Sequence, residues 1–373
     1  MQKQYRVGVI GSTGRGNYGH GLDVVWRDHP RTRVVAVADD DPQGLERARE
    51  RLQASADYAD YRQMLKQESL DLVAIAPRWI DRHAEMALCA LEHHCAIYME
   101  KPFVRDLREA DAVVTACDMR HLCVALAHQS RYSPVVHRVR DMLQAGMIGE
   151  LIEMRGRGKE DRRGGGEDLW VLGSHILDLM RFFAGNPQEC SAMVLVRGQR
   201  AQHNDIVSGP EGLGALIGDA VHTVFRFPQG VMGFFDSVRN AGQNSPRFTL
   251  QLLGTRGVIE VVPGYLEPAW WLDDPSWGTS RSRQRWIAIT SAGPDQPEPL
   301  SGRGLHAGNL AAVDDLLQAL EQRRLPLCSH LDGRAVVEMI LAVFASHIRG
   351  GIAVELPLTQ REHPLHHWIH LTN

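Results

Sequence analysis

The densest set of chemistry-bearing residues follows the first apolar run. VGVIGSTGRGNYGHG (7–21) places Gly11, Ser12, Thr13, Gly14, Arg15 and Gly16 directly after a strand-like segment, with Gly19 and Gly21 beyond. Glycines in such a turn permit positive φ, close approach of backbone to phosphate, and tight packing of helix on strand. Two registers of G-x-G-x-x-G fit. One uses Gly11, Thr13 and Gly16, with Thr13 at the middle position; the other uses Gly14, Gly16 and Gly19. The first is preferred because Gly11 ends the strand. A helix opening after the turn would offer free N–H groups to a pyrophosphate. Asp39 ends the second strand-like run, where a carboxylate accepts hydrogen bonds from adenosine ribose hydroxyls and repels a 2′-phosphate. Asp40 and Asp41 add negative charge where an Arg would suit NADP. NAD is the expected cofactor, and NADP the less favoured one.

Two further residues suit proton and hydroxyl chemistry. Lys101, in MEKPF (99–103), follows another apolar strand-like run. Ligands of parallel sheets bind beyond the carboxyl ends of the strands, which puts Lys101 where a nicotinamide would lie. An ammonium there can share protons with a substrate hydroxyl or orient it. His175, in GSHILD (173–178), brings an imidazole suited to acid–base work near neutral pH. Asp178 can orient that ring. The stretch KEDRRGGGEDLW (159–170) carries Arg163, Asp168 and Trp170. Arg163 can meet a substrate carboxylate or phosphate. Asp168 can reach the His175 site from earlier on one helix, and Trp170 can stack on a sugar. Gly164, Gly165 and Gly166 read as a flexible lead into that helix. Trp270, Trp271, Trp277 and Trp286 offer further aromatic faces, for which burial is the commoner fate.

Positioning these groups calls for alternating strands and helices. YRVGVI (5–10), RVVAVAD (33–39), LDLVAIA (70–76), CAIYM (95–99) and LCVALAH (122–128) read as strands. Between them lie a helix through Val25 and Trp26, then PQGLERARERL (42–52), DRHAEMALCALEHH (81–94) and LREADAVVTACDM (107–119), with apolar residues at helical spacing. This predicts βαβ units and a doubly wound parallel sheet, a Rossmann domain over 1–128. Beyond it the pattern predicts a helix at 133–150, a strand at 151–157 and one amphipathic helix over 168–185. Sequential strand-like runs between 188 and 290 predict a largely antiparallel sheet. Helices return at 306–322 and 331–348 before IAVELPL (352–358). The fold class is therefore α/β, with a second, α+β domain over 129–373 whose final helices and strand are placed to return toward the first.

Composition narrows the partners. The chain has 373 residues, 44% hydrophobic and 23% charged, which is ordinary for a globular protein of about two domains. A net charge of -4 leaves no basic excess for nucleic acid or an anionic membrane. The apolar run in MQKQYRVGVIG is too short for a secretory signal, and no run reaches the length of a membrane span. Cys89, Cys95, Cys117, Cys123, Cys190 and Cys328 form no CxxC pair and read as buried thiols of a reducing cytoplasm. His363, His366, His367 and His370 read as part of a polar terminal segment, and no metal site is expected.

Together the glycine-rich turn, Asp39, PRWIDRH (77–83), EKP (100–102) and GSHILD (173–178) resemble the glucose–fructose oxidoreductase/inositol dehydrogenase family, Gfo/Idh/MocA. The similarity continues through RYSPVVHRVRDMLQAGMIGELIEMRGR (131–157) and GIAVELPL (351–358). It implies a Rossmann domain, a C-terminal domain with an open sheet, and homodimers or homotetramers formed through that sheet. It also implies a cofactor site taking in Pro77, His83, Glu100 and Lys101, and a substrate site lined by Lys101 and His175. Hydride would pass between the nicotinamide and a hydroxyl carbon of a sugar, cyclitol or glycoside. One departure stands out. The family string D-x-G-x-H reads V-L-G-S-H here, so Val171 replaces a proton-relay carboxylate. That substitution keeps a second enzyme reading open, in which bound NAD is recycled through oxidation, elimination and reduction to cleave or isomerise a glycoside. A non-catalytic NAD or sugar sensor is a third reading, against which the retention of Lys101 and His175 argues.

Overall fold

The structure, a computed structural model, describes residues 3–245, 247–276 and 283–368; Trp277 and His370 lie outside them. The chain divides into two compact units. The first comprises Met1–His128, Pro210–Gly214 and Leu305–Arg334, and the second Gln129–Gly209, Ala215–Gly304 and Ala335–Asn373.

The first unit runs β1 (Tyr5–Ile10), α1 (Val25–Asp28), β2 (Thr32–Ala38), α2 (Pro42–Leu52), β3 (Ala56–Tyr58), α3 (Tyr61–Gln67), β4 (Leu72–Ile75), α4 (His83–Glu92), β5 (Ala96–Met99), α5 (Leu107–Arg120) and β6 (Val124–Leu126). The six strands are all parallel in the order β3-β2-β1-β4-β5-β6. Val7, Val9 and Ile10 are buried on both faces of β1, as crossover helices require of a central parallel strand. The order reverses between β1 and β4, and that is where a doubly wound sheet opens its ligand crevice. Helix α2 has the bounds its pattern predicts. Pro42 opens it, the Asp41 carboxylate accepts from the Gly44 N–H, and Gln53 closes it in the left-handed region.

Two expectations fail here. The short β3 and α3 were not legible, because ADY and YRQMLKQ carry no long apolar run. Helix α1 is a single turn rather than a phosphate-binding helix opening after the glycines. Gly14, Gly16, Asn17, Gly19 and Gly21 all have φ between 52° and 87°, and a right-handed helix cannot form through them.

The second unit contains α6 (Pro134–Gln144), β7 (Leu151–Arg157), α7 (Gly166–Val171), α8 (Gly173–Ala184), β8 (Glu189–Val196) and β9 (Gln199–Arg200). A small pair, β10 (Val207–Gly209) and β11 (Gly214–Leu216), follows. Then come β12 (Ala220–Arg226), β13 (Met232–Val238), β14 (Leu250–Gly254), β15 (Val258–Val261), β16 (Ala269–Leu272), β17 (Ile287–Thr290), β18 (Gly293–Pro294) and β19 (Val354–Glu355). Its large sheet runs β18-β17-β16-β15-β14-β7-β13-β12-β8-β19, with β9 beside β8. Only β7 and β13 pair in parallel within that order. Helix α8 packs on one face. A Cβ on Gly156 of β7 would lie 2.3 Å from the Ile176 side chain. The other face carries Phe234, Arg155, Gln251, Glu260 and Trp270 in register across five strands, and Trp270 is 37% exposed.

Candidate active site

The glycine-rich turn of the first unit closes on itself. Ser12 and Asn17 bridge, and the Ser12 carbonyl accepts from the Arg15 and Asn17 N–H groups. The Asn17 side-chain oxygen takes the Gly14 N–H at 3.0 Å. Each glycine does a different job. A Cβ at Gly16 would lie 2.4 Å from the Arg78 amide nitrogen, so the turn rests on the segment after β4. Gly14 has open space around it. Gly11 lies beneath the Tyr18 ring, and a Cβ there would come within 2.2 Å of that ring. Arg15 reaches from the tip to Asp81 at 2.5 Å and lies over the Trp79 ring.

Asp39 anchors this turn. Its two oxygens accept the Thr13 N–H at 3.0 and 3.2 Å, the Thr13 hydroxyl at 2.8 Å, and the Asp41 N–H at 3.0 Å. Burial, and then the charge of Asp39, push the nearby Tyr18 phenol well up. A cavity of about 110 Å³ at the carboxyl ends of β1 and β2 is lined by Gly11, Asp39, Asp40, Tyr61, Arg62 and Arg82. Open backbone at Gly14 and a carboxylate in this cavity wall suit the phosphate and ribose of a dinucleotide, so the residues present fit a nicotinamide dinucleotide.

The segments after β4 and β5 are stitched together behind this turn. His83 is wholly buried, with Nε2 2.8 Å from the Pro77 carbonyl and Nδ1 3.0 Å from the Pro102 carbonyl. Its ring therefore holds Pro77 and Pro102 in place and presents no open nitrogen to a ligand. Glu100 is also wholly buried and accepts from the N–H groups of His20 and Lys101, each at 2.9 Å, and pairs with His20 Nδ1. Burial works to raise the Glu100 carboxyl, but His20 and the charge of Lys101 prevail and hold it below the usual range. Asn309, on the helix Gly304–Gln322, donates to the His20 carbonyl and accepts from the Tyr98 hydroxyl. Lys101 lies past the end of β5 and is 9% exposed. Sequence reasoning missed Asn17, Tyr18 and His20; an Asn among the glycines, a residue type that tolerates the left-handed region, was the one local hint.

In the second unit the expected single helix over 168–185 is two. Chain direction changes at Leu172, where φ is -126° and ψ -39°, and Gly173 fits against the Phe235 ring. Asp168 and His175 thus sit on different helices and do not share a continuous helical face. The three glycines before Asp168 are buried, not a flexible lead. A Cβ on Gly164 would lie 2.3 Å from the Arg239 Cα, and one on Gly166 2.2 Å from the Ile217 carbonyl oxygen. His175 is half-buried at the start of α8, edge-on to Phe248 with ring centroids 6.3 Å apart.

The other residues singled out around His175 have structural partners. Asp168 is wholly buried and accepts the Glu160 N–H at 3.0 Å and the Ser237 hydroxyl at 2.6 Å; burial raises its pKa. Asp178 accepts from Arg131 at 2.8 Å. Arg163 grips Asp161 through two nitrogens, which holds that carboxyl down at about 2. Trp170 is wholly buried and stacks on His363, whose pKa burial lowers to about 3. Val171 is buried too. Trp270 faces away from α8, on the uncovered side of the sheet.

Comparison with known proteins places these two regions in one lineage. Residues 5–128 match the profile described as oxidoreductase family, NAD-binding Rossmann fold, and residues 136–260 match the GFO/IDH/MocA C-terminal domain. Levoglucosan dehydrogenase of Pseudarthrobacter phenanthrenivorans is 26% identical over 258 residues, 62% of this chain and 64% of that protein. The aligned stretch thus falls short of two thirds of that relative. Glycosyl hydrolase family 109 protein 1 of Phocaeicola vulgatus is 26% identical over 226 residues, 54% of this chain and 47% of that protein. A solved levoglucosan dehydrogenase in complex with NADH and levoglucosan superposes with a TM-score of 0.78 at 22% identity, covering 95% of this chain and 100% of that one. A likeness at that identity speaks for the fold.

Proposed function

The chain belongs to the GFO/IDH/MocA oxidoreductase family, and from that premise we propose that it transfers a hydride between NAD and a hydroxyl carbon of a sugar, cyclitol or glycoside. The observation that carries the proposal is Lys101. It follows the carboxyl end of β5, its backbone is fixed by the buried Glu100, and its side chain is nearly enclosed. NAD, when bound, supplies the hydride acceptor. The turn 11–16, with Arg15, takes the diphosphate, and Asp39 takes the ribose. Lys101 orients the substrate hydroxyl by its charge; in the second unit His175 is the group proposed for proton transfer. His83, Pro77 and Glu100 support the cofactor site by holding its backbone. Asp168, Asp178, Trp170 and Arg163 shape the region around His175 rather than touching the substrate.

A second reading draws on Val171 and on the glycosyl hydrolase family 109 relative. With no carboxylate one turn before His175, a cycle that returns its electrons to the substrate is compatible with the site. The six free cysteines suit a cytoplasmic enzyme, and the uncovered sheet face suits a homodimer or homotetramer. Among the described residues no helix is long and apolar enough to cross a membrane.

The test incubates purified protein and NAD with a panel of sugars, anhydrosugars, cyclitols and aryl glycosides. Reduced nicotinamide and a ketone product in equal amounts support the dehydrogenase. Cleaved glycoside without net reduced nicotinamide selects the second reading. Neither product from any compound, with NAD bound, overturns both.

A further inference from the structure

We propose that Thr13 is a specificity-determining positioning residue: by clamping Asp39 through both its amide and its hydroxyl, it sets the preference for NAD over NADP. The proposal rests on the reading that the turn binds a dinucleotide. Thr13 stands where the middle glycine of the preferred register would be, and its φ is not among the positive ones. The position therefore accepts a side chain without backbone strain. That side chain is used fully. Its hydroxyl donates to one Asp39 oxygen at 2.8 Å while its N–H reaches both at 3.0 and 3.2 Å. A glycine here would supply only the N–H.

The helix opposite is shaped for this threonine. A Cβ on Gly44 of α2 would lie 1.9 Å from the Thr13 hydroxyl oxygen and 2.6 Å from its Cβ. Gly44 has no positive φ to explain it, and its N–H caps α2 through Asp41, as any residue's would. Room for Thr13 is the physical use of a glycine there.

Selectivity follows from the charges in the same cavity. Arg62 and Arg82 line it together with Asp39, Asp40 and Asp60. Arg82 lies 3.7 Å from Asp40, and both guanidinium groups lie over the Tyr61 ring, at 4.7 and 5.6 Å. Arg62 pairs with Asp60 at 3.3 Å and with Glu85, and Arg82 with Glu85 at 3.8 Å; by exchanging these partners the two guanidinium groups could receive a 2′-phosphate that the carboxylates otherwise repel. The balance turns on where the Asp39 charge is held, and Thr13 holds it. Release of the clamp lets Asp39 swing toward the arginines, which weakens ribose binding and lowers the barrier to NADP.

The test measures dissociation constants of NADH and NADPH by nucleotide fluorescence for wild type, Thr13→Ser, Thr13→Val and Gly44→Ala, each checked by thermal melting. Wild type prefers NADH. Thr13→Val, isosteric but without the donor, loses about tenfold of that preference, the size expected for one hydrogen bond to a charged group. Thr13→Ser keeps it. Gly44→Ala, whose methyl displaces the hydroxyl, loses it like Thr13→Val, and supplies the answer should Thr13→Val not fold. A folded Thr13→Val or Gly44→Ala with the wild-type preference overturns the assignment. Wild type that binds neither nucleotide overturns the cofactor reading, and the Thr13 assignment with it.

Discussion

The glycine-rich turn with EKP, and the region of α7 and α8, use polar side chains in opposite ways. In the first, the residues expected to meet the cofactor also build the loops. Asp39 ties down Thr13 and Asp41, and Glu100 ties down His20 and Lys101. In the second, the acids near His175 are absorbed by the scaffold. Asp168 serves Glu160 and Ser237, and Asp178 serves Arg131. The half-buried His175 is the group of that region assigned to chemistry. Substitution of Asp39 or Glu100 in the first region should therefore disturb binding and structure together, whereas in the second region substitutions should separate cleanly into activity at His175 and stability elsewhere.

The largest expected effect tests the first region. Lys101→Ala lowers turnover about 10³-fold, the loss of an electrostatic and acid–base contribution, while NADH still binds; steady-state kinetics and nucleotide titration check both. His175→Asn comes next, at about 10²-fold, with an unchanged melting temperature. An equal loss of activity in Asp168→Asn would break the division drawn for the second region.

Asp168→Ala should instead cost about 2–3 kcal/mol of stability, because it orphans the buried Glu160 N–H and Ser237 hydroxyl; urea unfolding measures it. Asp168 has a raised pKa in the folded state. Its wild-type contribution is therefore fully present below the unfolded carboxyl value and declines as pH rises through the raised one, so the stability gap to Asp168→Asn is widest in acid. The smallest effect is at Arg163. The Asp161 carboxyl it depresses to about 2 is partly exposed, so Arg163→Ala costs under about 1 kcal/mol at neutral pH. That cost is present above the ordinary Asp value and vanishes as pH falls through about 2. A larger loss would mean Arg163 does more than hold Asp161.

What was legible follows the same contrast. The apolar runs and helical spacing of the first 128 residues marked five of the six parallel strands, and the capping residues of α2 marked its ends. Local signals suffice where each element carries its own period. The break at Leu172 was hidden because DLWVLGSHILDLM keeps one helical pattern across it, and a glycine inside such a pattern is tolerated. The short AWWL strand does not alternate cleanly. The tasks of Asp168 and Glu100 depend on partners distant in sequence, such as Ser237 and His20, which no spacing announces. The candidate residues were readable by type; which of them are engaged by the scaffold was not.

The central claim is that Lys101 works on a substrate hydroxyl in an NAD-dependent oxidation. The most direct measurement loads wild type and Lys101→Ala with NAD to equal occupancy and follows reduced nicotinamide absorbance across the polyol panel. The account predicts formation with at least one polyol in wild type and near-complete loss in Lys101→Ala. Equal rates in the two proteins, or no reduction by NAD-loaded wild type with any polyol, would contradict it.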